Sequence, residues 1–200
     1  MLNTDDLHIV HYYHPSCKPF QNICRLPKEE AFTLAYKMAI EMAAANPEAD
    51  SYHRFADTPQ GFKSYYPRRL ITDEYLYNQF ISLGGKPKEK HPLSFVLQGS
   101  DWLHKWFGNG MAIMVKLSTI PSKYVSFTLG DSMAVLLQKD GVRVNEIQHG
   151  KLIMYTKETM LNVIDNYNGT IDGYMHHITD KWMYIEVQLW NDDYCIPTDG

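Results

Sequence analysis

The chain has 200 residues, of which 44% are hydrophobic and 21% are charged, and its formal net charge is -4 at pH 7. This composition predicts a single folded domain spanning residues 1–200 and excludes an intrinsically disordered chain. The slightly negative charge also excludes a protein whose whole surface binds nucleic acid. Aromatic residues make up 13% of the chain. That abundance predicts either a bulky core or a pocket that stacks planar ligands.

The cysteines and the first residues predict where the protein resides. Cys17, Cys24 and Cys195 are odd in number and lack the close spacing of a metal site, as is typical of a reducing compartment. Residues 1–6 are acidic and lack the features of a signal peptide, and no apolar stretch approaches the length that spans a membrane. We therefore expect a cytoplasmic protein with no membrane partner.

The first half of the chain predicts one strand and two helices. Residues 7–14 alternate like a strand that ends at Pro15, and a helix should run from Pro27 to about Ala45. Residues 50–66 show no period, with a turn at residues 59–61, and predict a lid or substrate loop. Thr72 should then cap a second helix that ends at Gly84. A basic loop follows at residues 86–92.

The second half predicts most of the strands. Ser100 should cap a short helix after a strand at residues 93–97, and residues 111–117 predict a strand buried on both faces. Further strands are predicted at residues 124–128, 132–137 and 151–155, with a hairpin turn at Asp140-Gly141. Thr156 should cap another helix, and residues 174–178 predict a short helical piece. Early helices and late strands predict an α+β domain with a mostly antiparallel sheet.

Residues 182–190 alternate more strictly than any other stretch and predict the central strand. One face would carry Met183, Ile185, Val187 and Leu189, which suits a packed core. The other face would place Glu186 and Gln188 among three large aromatic rings, those of Trp182, Tyr184 and Trp190. Rings and polar groups in this register are typical of a ligand cleft, so we expect Glu186 to act on a ligand and Gln188 to position it.

The absence of several known catalytic motifs excludes the enzyme classes that depend on them. The sequence has no glycine-rich phosphate loop, no Gly-x-Ser-x-Gly elbow and no His-Glu-x-x-His helix. Three other segments could carry chemistry: the strand with His11-Tyr12-Tyr13, the strand Ser94-Phe95-Val96-Leu97, and Glu186 in the last strand. In that order they resemble the ADP-ribosyltransferase superfamily. The runs at residues 126–132 and 186–190 also resemble a bacterial family of unassigned function.

The resemblance to ADP-ribosyltransferases implies a fold, a cofactor and roles for particular residues. It implies a strongly bent, mostly antiparallel sheet with helices packed on it, and a cleft that binds NAD or a related nucleotide. Glu186 would stabilise the positive charge of the transition state, and His11 would bind the ribose. The acceptor of ADP-ribose, a protein or a nucleic acid, stays open. The further residues expected at the nucleotide are Tyr12, His14, Ser94, Phe95, Tyr184 and Gln188.

Arginines offer a separate hypothesis for the phosphates of a nucleotide. Arg68 could grip a pyrophosphate through its forked donors, and Arg69 offers the same chemistry. Solvated surface arginines are the alternative interpretation of this pair.

Three alternatives remain beside the transferase. The Ser-Thr-Ser pattern of the superfamily is absent and Tyr184 stands where it has Gln or Glu, which favours a noncatalytic binding domain. Glu186 could instead form an ion pair within the fold. Metal-dependent hydrolysis would need His8 and His14 together with His176 or His177. His11 would lie on the opposite face of its strand from His8 and His14, so we expect no metal site.

Overall fold

The computed structural model describes residues 4–15, 17–45, 59–133, 153–167 and 170–197. In these ranges the chain forms an α+β domain around a six-stranded sheet in which all the pairings are antiparallel. The strand order is β3-β1-β2-β6-β4-β5. The strands are β1 His8–Tyr13, β2 Leu93–Leu97, β3 Met111–Lys116, β4 Val125–Leu129, β5 Met154–Thr156 and β6 Ile185–Leu189.

Five α-helices of six residues or more surround this sheet in the described part of the chain. They are α1 Lys28–Ala45, α2 Pro59–Ser82, α3 Asp101–Trp106, α4 Lys157–Asp165 and α5 Ile171–Trp182. The capping predictions at Ser100 and Thr156 are confirmed, because each side chain accepts a hydrogen bond from the backbone N–H three residues later. α5 is longer than predicted, since Thr170 caps it ahead of the predicted start.

The first face of the sheet holds the main apolar core. Phe95, Val187 and Phe127 lie opposite one another on three adjacent strands and therefore share this face. Helices α4 and α5 cover it with Met160, Ile164, Tyr174 and Ile178, all buried in the same cluster. The packed face predicted for the last strand is confirmed at Ile185, Val187 and Leu189.

The second face is more polar and lies beneath α1 and α2. Val96, Glu186 and Thr128 are in register across three strands, as are Ser94, Gln188 and Ser126. Leu76 and Phe80 of α2 cover part of this face by packing with Trp190 and Met154. Both faces of β6 are therefore buried. The sequence predicts a ligand cleft along this whole face of β6, but Leu76 and Phe80 of α2 cover the face at Trp190.

The excursion predicted at residues 50–66 is wrong from Pro59 onward, while residues 50–58 lie outside the described part. Helix α2 begins at Pro59, where the missing N–H of proline costs nothing, and continues through Pro67. Thr72 lies inside this helix instead of capping it. Its hydroxyl donates to Arg68 O at 2.9 Å, which satisfies it without a helix end.

Several predicted strands also need correction. β3 is an edge strand with four of its six residues exposed, so the prediction that it is buried on both faces is wrong. Ser132 and Met133 are helical, whereas residues 134–137 and the Asp140-Gly141 hairpin lie outside the described part. Trp182 ends α5, and Met183 follows it with φ of 66° and 41% exposure. The sheet is not strongly curled, which corrects the strong bend implied by the resemblance.

Within the described ranges, no helix combines the length and the apolar character that crossing a lipid bilayer requires.

Candidate ligand-binding site

A pocket of about 380 Å³ lies against the second face of the sheet, between the strands and helices α1 to α3. Its floor is made by residues of β1, β2 and β6. Its walls come from α1, α2, α3 and the loop after β1, and most of them are apolar or aromatic. The wall residues include Leu34, Ala35, Met38, Phe62, Tyr65, Leu103, Trp106 and Phe107.

Glu186 is the buried carboxylate of this pocket. Its side chain lines the pocket with only 5% exposure, and Oε2 accepts a hydrogen bond from the Ser132 backbone N–H at 2.6 Å. The Ser94 hydroxyl donates to Oε1 at 3.3 Å. Burial raises the pKa of Glu186, the Arg69 guanidinium opposes this, and the charge of Asp131 adds to it. The carboxylate is thus held in one orientation while its charge is partly destabilised.

A chain of polar contacts leads from Glu186 to a buried ion pair. The Ser94 hydroxyl accepts a hydrogen bond from Arg69 Nη2 at 3.3 Å, and Arg69 Nε lies 2.8 Å from Asp73 Oδ1. Burial alone would lower the pKa of Arg69, but the negative charge of Asp73 raises it above its ordinary value. Asp73 is fully buried. Its other oxygen lies 2.9 Å from His91 Nδ1, so the carboxylate is compensated on both sides.

His11 occupies a gap in the sheet. β1 and β2 are paired only at two positions, Ile9 with Leu97 and Val10 with Val96. Beyond them the His11 ring bonds Ser94 O through Nδ1 at 3.0 Å, and Nε2 accepts from Phe20 N–H at 3.1 Å. An accepting Nε2 requires the proton on Nδ1. Burial lowers the pKa of His11, in keeping with a neutral ring whose two nitrogens are both engaged.

Stacked aromatic rings flank the pocket. Trp102 stacks with Trp106 at a centroid distance of 5.4 Å and with Tyr184 at 6.2 Å. Burial raises the pKa of Tyr184 well above its ordinary value, so its hydroxyl stays neutral. Tyr12 stacks on His104 at 5.3 Å and accepts a hydrogen bond from Ser100 N–H at 2.9 Å. These contacts place stacked aromatic rings along the wall of the pocket.

The structure gathers most of the residues proposed from the sequence around this pocket. Six of them contribute to its lining: Glu186, His11, Tyr12, Ser94, Phe95 and Tyr184. His14 lies outside the lining, 3.5 Å from Glu41. Arg68 also lies outside it, whereas its neighbour Arg69 points inward. The arginine chosen for phosphate binding is therefore one position away from the one that lines the pocket.

Gln188 shares the face of Glu186 but not its pocket. It is fully buried, its Nε2 donates to Thr128 Oγ1 at 3.0 Å, and its Oε1 accepts from Ser126 Oγ at 2.9 Å. Trp190 Nε1 donates to the same Ser126 hydroxyl at 2.8 Å. The expectation that Gln188 meets a ligand in an open cleft is not met, because its amide completes a closed polar network.

Sequence reasoning did not assign a role to Asp131 or Ser132, although the segment containing them stood out. Asp131 lines the pocket, and Ser132 supplies the N–H that binds Glu186. The available signal was the Gly130-Asp131-Ser132 run directly after a strand, where the chain turns with φ of 75° at Gly130. Such a turn can expose polar groups at the end of a strand.

One group of potential metal ligands occurs in the described part of the chain. Ligand atoms of Cys24, Asp73 and His91 lie within 4.8 Å of one another. The Arg69 ion pair and the His91 contact already compensate Asp73, and burial together with Asp73 raises the pKa of the Cys24 thiol to about 12. A protonated thiol beside a guanidinium is a poor cation site. The histidines required for metal-dependent hydrolysis form no such group among the described residues.

Comparison of the chain with protein-family models, with curated proteins and with solved structures finds no match.

Proposed function

We propose that the chain is an ADP-ribosyltransferase-like enzyme that binds NAD or a related nucleotide in this pocket and transfers ADP-ribose to an acceptor. The observation that carries the proposal is the Glu186 carboxylate, buried in an aromatic pocket and oriented by Ser94 and Ser132. A carboxylate fixed in a water-poor site favours positive charge that develops next to it. Breaking the bond between ribose and nicotinamide develops such charge at the sugar.

The remaining lining residues suit a planar, partly cationic ligand. Aromatic rings from Tyr65, Trp106 and Tyr184 offer stacking surface to a nicotinamide ring. The volume of about 380 Å³ lies near the lower end of the roughly 300–1,000 Å³ range of small-molecule pockets. The enclosed part therefore suits the nicotinamide riboside half of NAD, with the other half extending toward solvent.

A comparison of wild type with Glu186→Gln tests the proposal. Each protein is incubated with NAD carrying label in the adenylate half, together with a cell lysate. We expect labelled acceptor and free nicotinamide from the wild type, and a loss of about 10²-fold or more for Glu186→Gln, in line with the removal of an electrostatic catalytic group. Glu74→Gln, at an exposed position of α2, is the matched control and should behave like wild type. Equal labelling by both glutamate variants would remove Glu186 from the mechanism.

A noncatalytic binding domain is the second candidate, and the geometry of His11 favours it. Both ring nitrogens of His11 are engaged inside the protein, so neither is free to bind a ribose hydroxyl. Binding alone still predicts a higher melting temperature in the presence of NAD, because a ligand that prefers the native state stabilises it. A thermal shift without any release of nicotinamide would therefore select the binding domain over the transferase.

A further inference from the structure

Among the described lining residues, the pocket contains two carboxylates with different exposure. Glu186 lies at the floor with 5% exposure, whereas Asp131 is exposed to solvent, although the protein around its carboxyl group still raises its pKa by desolvation. A hydrogen bond connects their segments, because Ser132, the residue after Asp131, donates its N–H to Glu186 Oε2 at 2.6 Å. A single turn of chain thus places one carboxylate beneath the pocket and another on its open side.

Among the described residues, a single hydrogen bond holds the Asp131 side chain. Its Oδ1 accepts from the Met133 backbone N–H at 2.8 Å, whereas Oδ2 accepts no hydrogen bond from the described part of the chain. The charged and titratable groups that face it are Arg69 and Tyr65 from α2, Glu186 from β6, and Tyr184 just before β6. As far as the described residues determine it, one oxygen of this exposed side chain is therefore open to a molecule that enters from solvent.

Resting on the proposed function, we infer that Asp131 is the general base for an oxygen acceptor, either water or a hydroxyl group. In this step the bond between ribose C1′ and the nicotinamide nitrogen breaks, and its electron pair leaves with nicotinamide. The acceptor oxygen bonds to C1′, and its proton passes to the Asp131 carboxylate and then to bulk water. Glu186 stabilises the positive charge at the sugar from the floor of the pocket. One carboxylate therefore acts on the ADP-ribose donor and the other on the acceptor.

A general base at Asp131 also determines the class of acceptor. A carboxylate base can take the proton of water or of a hydroxyl group when that proton becomes acidic in the transition state. An anionic nucleophile has no proton to lose and does not need the base. Azide is such a nucleophile, so azide and water report separately on Glu186 and Asp131.

The experiment measures nicotinamide release from NAD by wild type, Asp131→Ala, Asp131→Asn and Glu186→Gln, with and without added azide. In water alone, both Asp131 variants should lose about 10²-fold or more of the wild-type rate. Azide should restore turnover to Asp131→Ala and yield ADP-ribosyl azide, but it should not restore Glu186→Gln. Asp193→Asn, at an exposed site outside the pocket lining, is the control and should keep the wild-type rate.

The outcomes separate this inference from the proposed function. A wild type that releases no nicotinamide overturns both. A wild type that is active while Asp131→Asn matches its rate overturns the role of Asp131 and leaves the proposed function standing. A slow Asp131→Ala that azide does not restore, although NAD raises its melting temperature as in wild type, also overturns the general-base role, since only positioning would then be lost.

Discussion

Replacing Gln188 with leucine should destabilise the fold strongly, although the sequence alone suggests a position at an open cleft. Two hydrogen bonds vanish with the amide, one from Ser126 and one to Thr128. Thr128 keeps a partner because its hydroxyl also donates to Gly130 O at 3.3 Å. Ser126 does not, because within the described ranges the only other hydrogen bond of its hydroxyl is the one it accepts from Trp190 Nε1. One buried hydroxyl proton is left without an acceptor.

The expected loss of stability follows from these hydrogen bonds. An unsatisfied buried donor costs about 1–3 kcal/mol and an ordinary lost hydrogen bond about 0.5–1.5 kcal/mol, so Gln188→Leu should lower the free energy of unfolding by about 2–4 kcal/mol. Urea denaturation followed by tryptophan fluorescence and circular dichroism measures this change. Gln79→Leu, at a half-buried position of α2, is the control and should change the stability by about 0.5 kcal/mol or less.

A double-mutant cycle tests the cause of that loss. Ser126→Ala also breaks the network, and the two substitutions made together should cost about 0.5–3 kcal/mol less than the sum of the single ones. Additive effects would show that the two side chains do not depend on each other. A Gln188→Leu protein that unfolds within about 0.5 kcal/mol of wild type would refute the closed network altogether.

Two other predictions concern the buried charges beside the pocket. Arg69→Met should lower the free energy of unfolding by about 3–5 kcal/mol, because Asp73 loses its cation inside the protein, whereas Arg68→Met should change it little; similar urea midpoints for both variants would contradict this. The folded-state pKa of Glu186 is raised above its ordinary 4.5, so its contribution to stability is complete below that value and falls as pH rises through the folded-state pKa. The melting temperature of Glu186→Gln relative to wild type should therefore increase between pH 4.5 and pH 8, and a constant difference would contradict the raised pKa.

The core of the sheet could be predicted because strand alternation reflects a local geometric rule. Alternating side chains must point to opposite faces, and Val187 and Leu189 are both fully buried as that rule requires. The same rule cannot say what covers each face. Helix α2 covers the polar face, and its start was obscured by Pro59 and Gly61, which favour turns when they are considered without their surroundings.

The candidate site could be predicted in part because its floor consists of strands with regular side-chain directions. Ser94 and Glu186 were assigned from the sequence, and the structure brings their side chains within 3.3 Å. Arg69 and Asp131 required knowledge of tertiary packing. A helical register decides that Arg69 and not Arg68 points inward, and a turn after β4 decides that Asp131 reaches the pocket. The turn has no periodic signal in the sequence, and the inward position of Arg69 was missed because the helix was expected to begin only at Thr72.

The different environments of Glu186 and Gln188 show how a helix divides one strand face into two regions. The two residues are separated by one position and point the same way, so local sequence predicts the same surroundings for both. Near Gln188, Phe80 of α2 stacks on Trp190 at 5.4 Å and closes the surface. About three turns earlier in α2, Arg69 contacts Ser94 and leaves space beside Glu186 for the pocket. Because α2 is long enough to cross the sheet, its aromatic C-terminal end packs on Trp190 and closes that part of the face. Its polar middle lines the pocket beside Glu186.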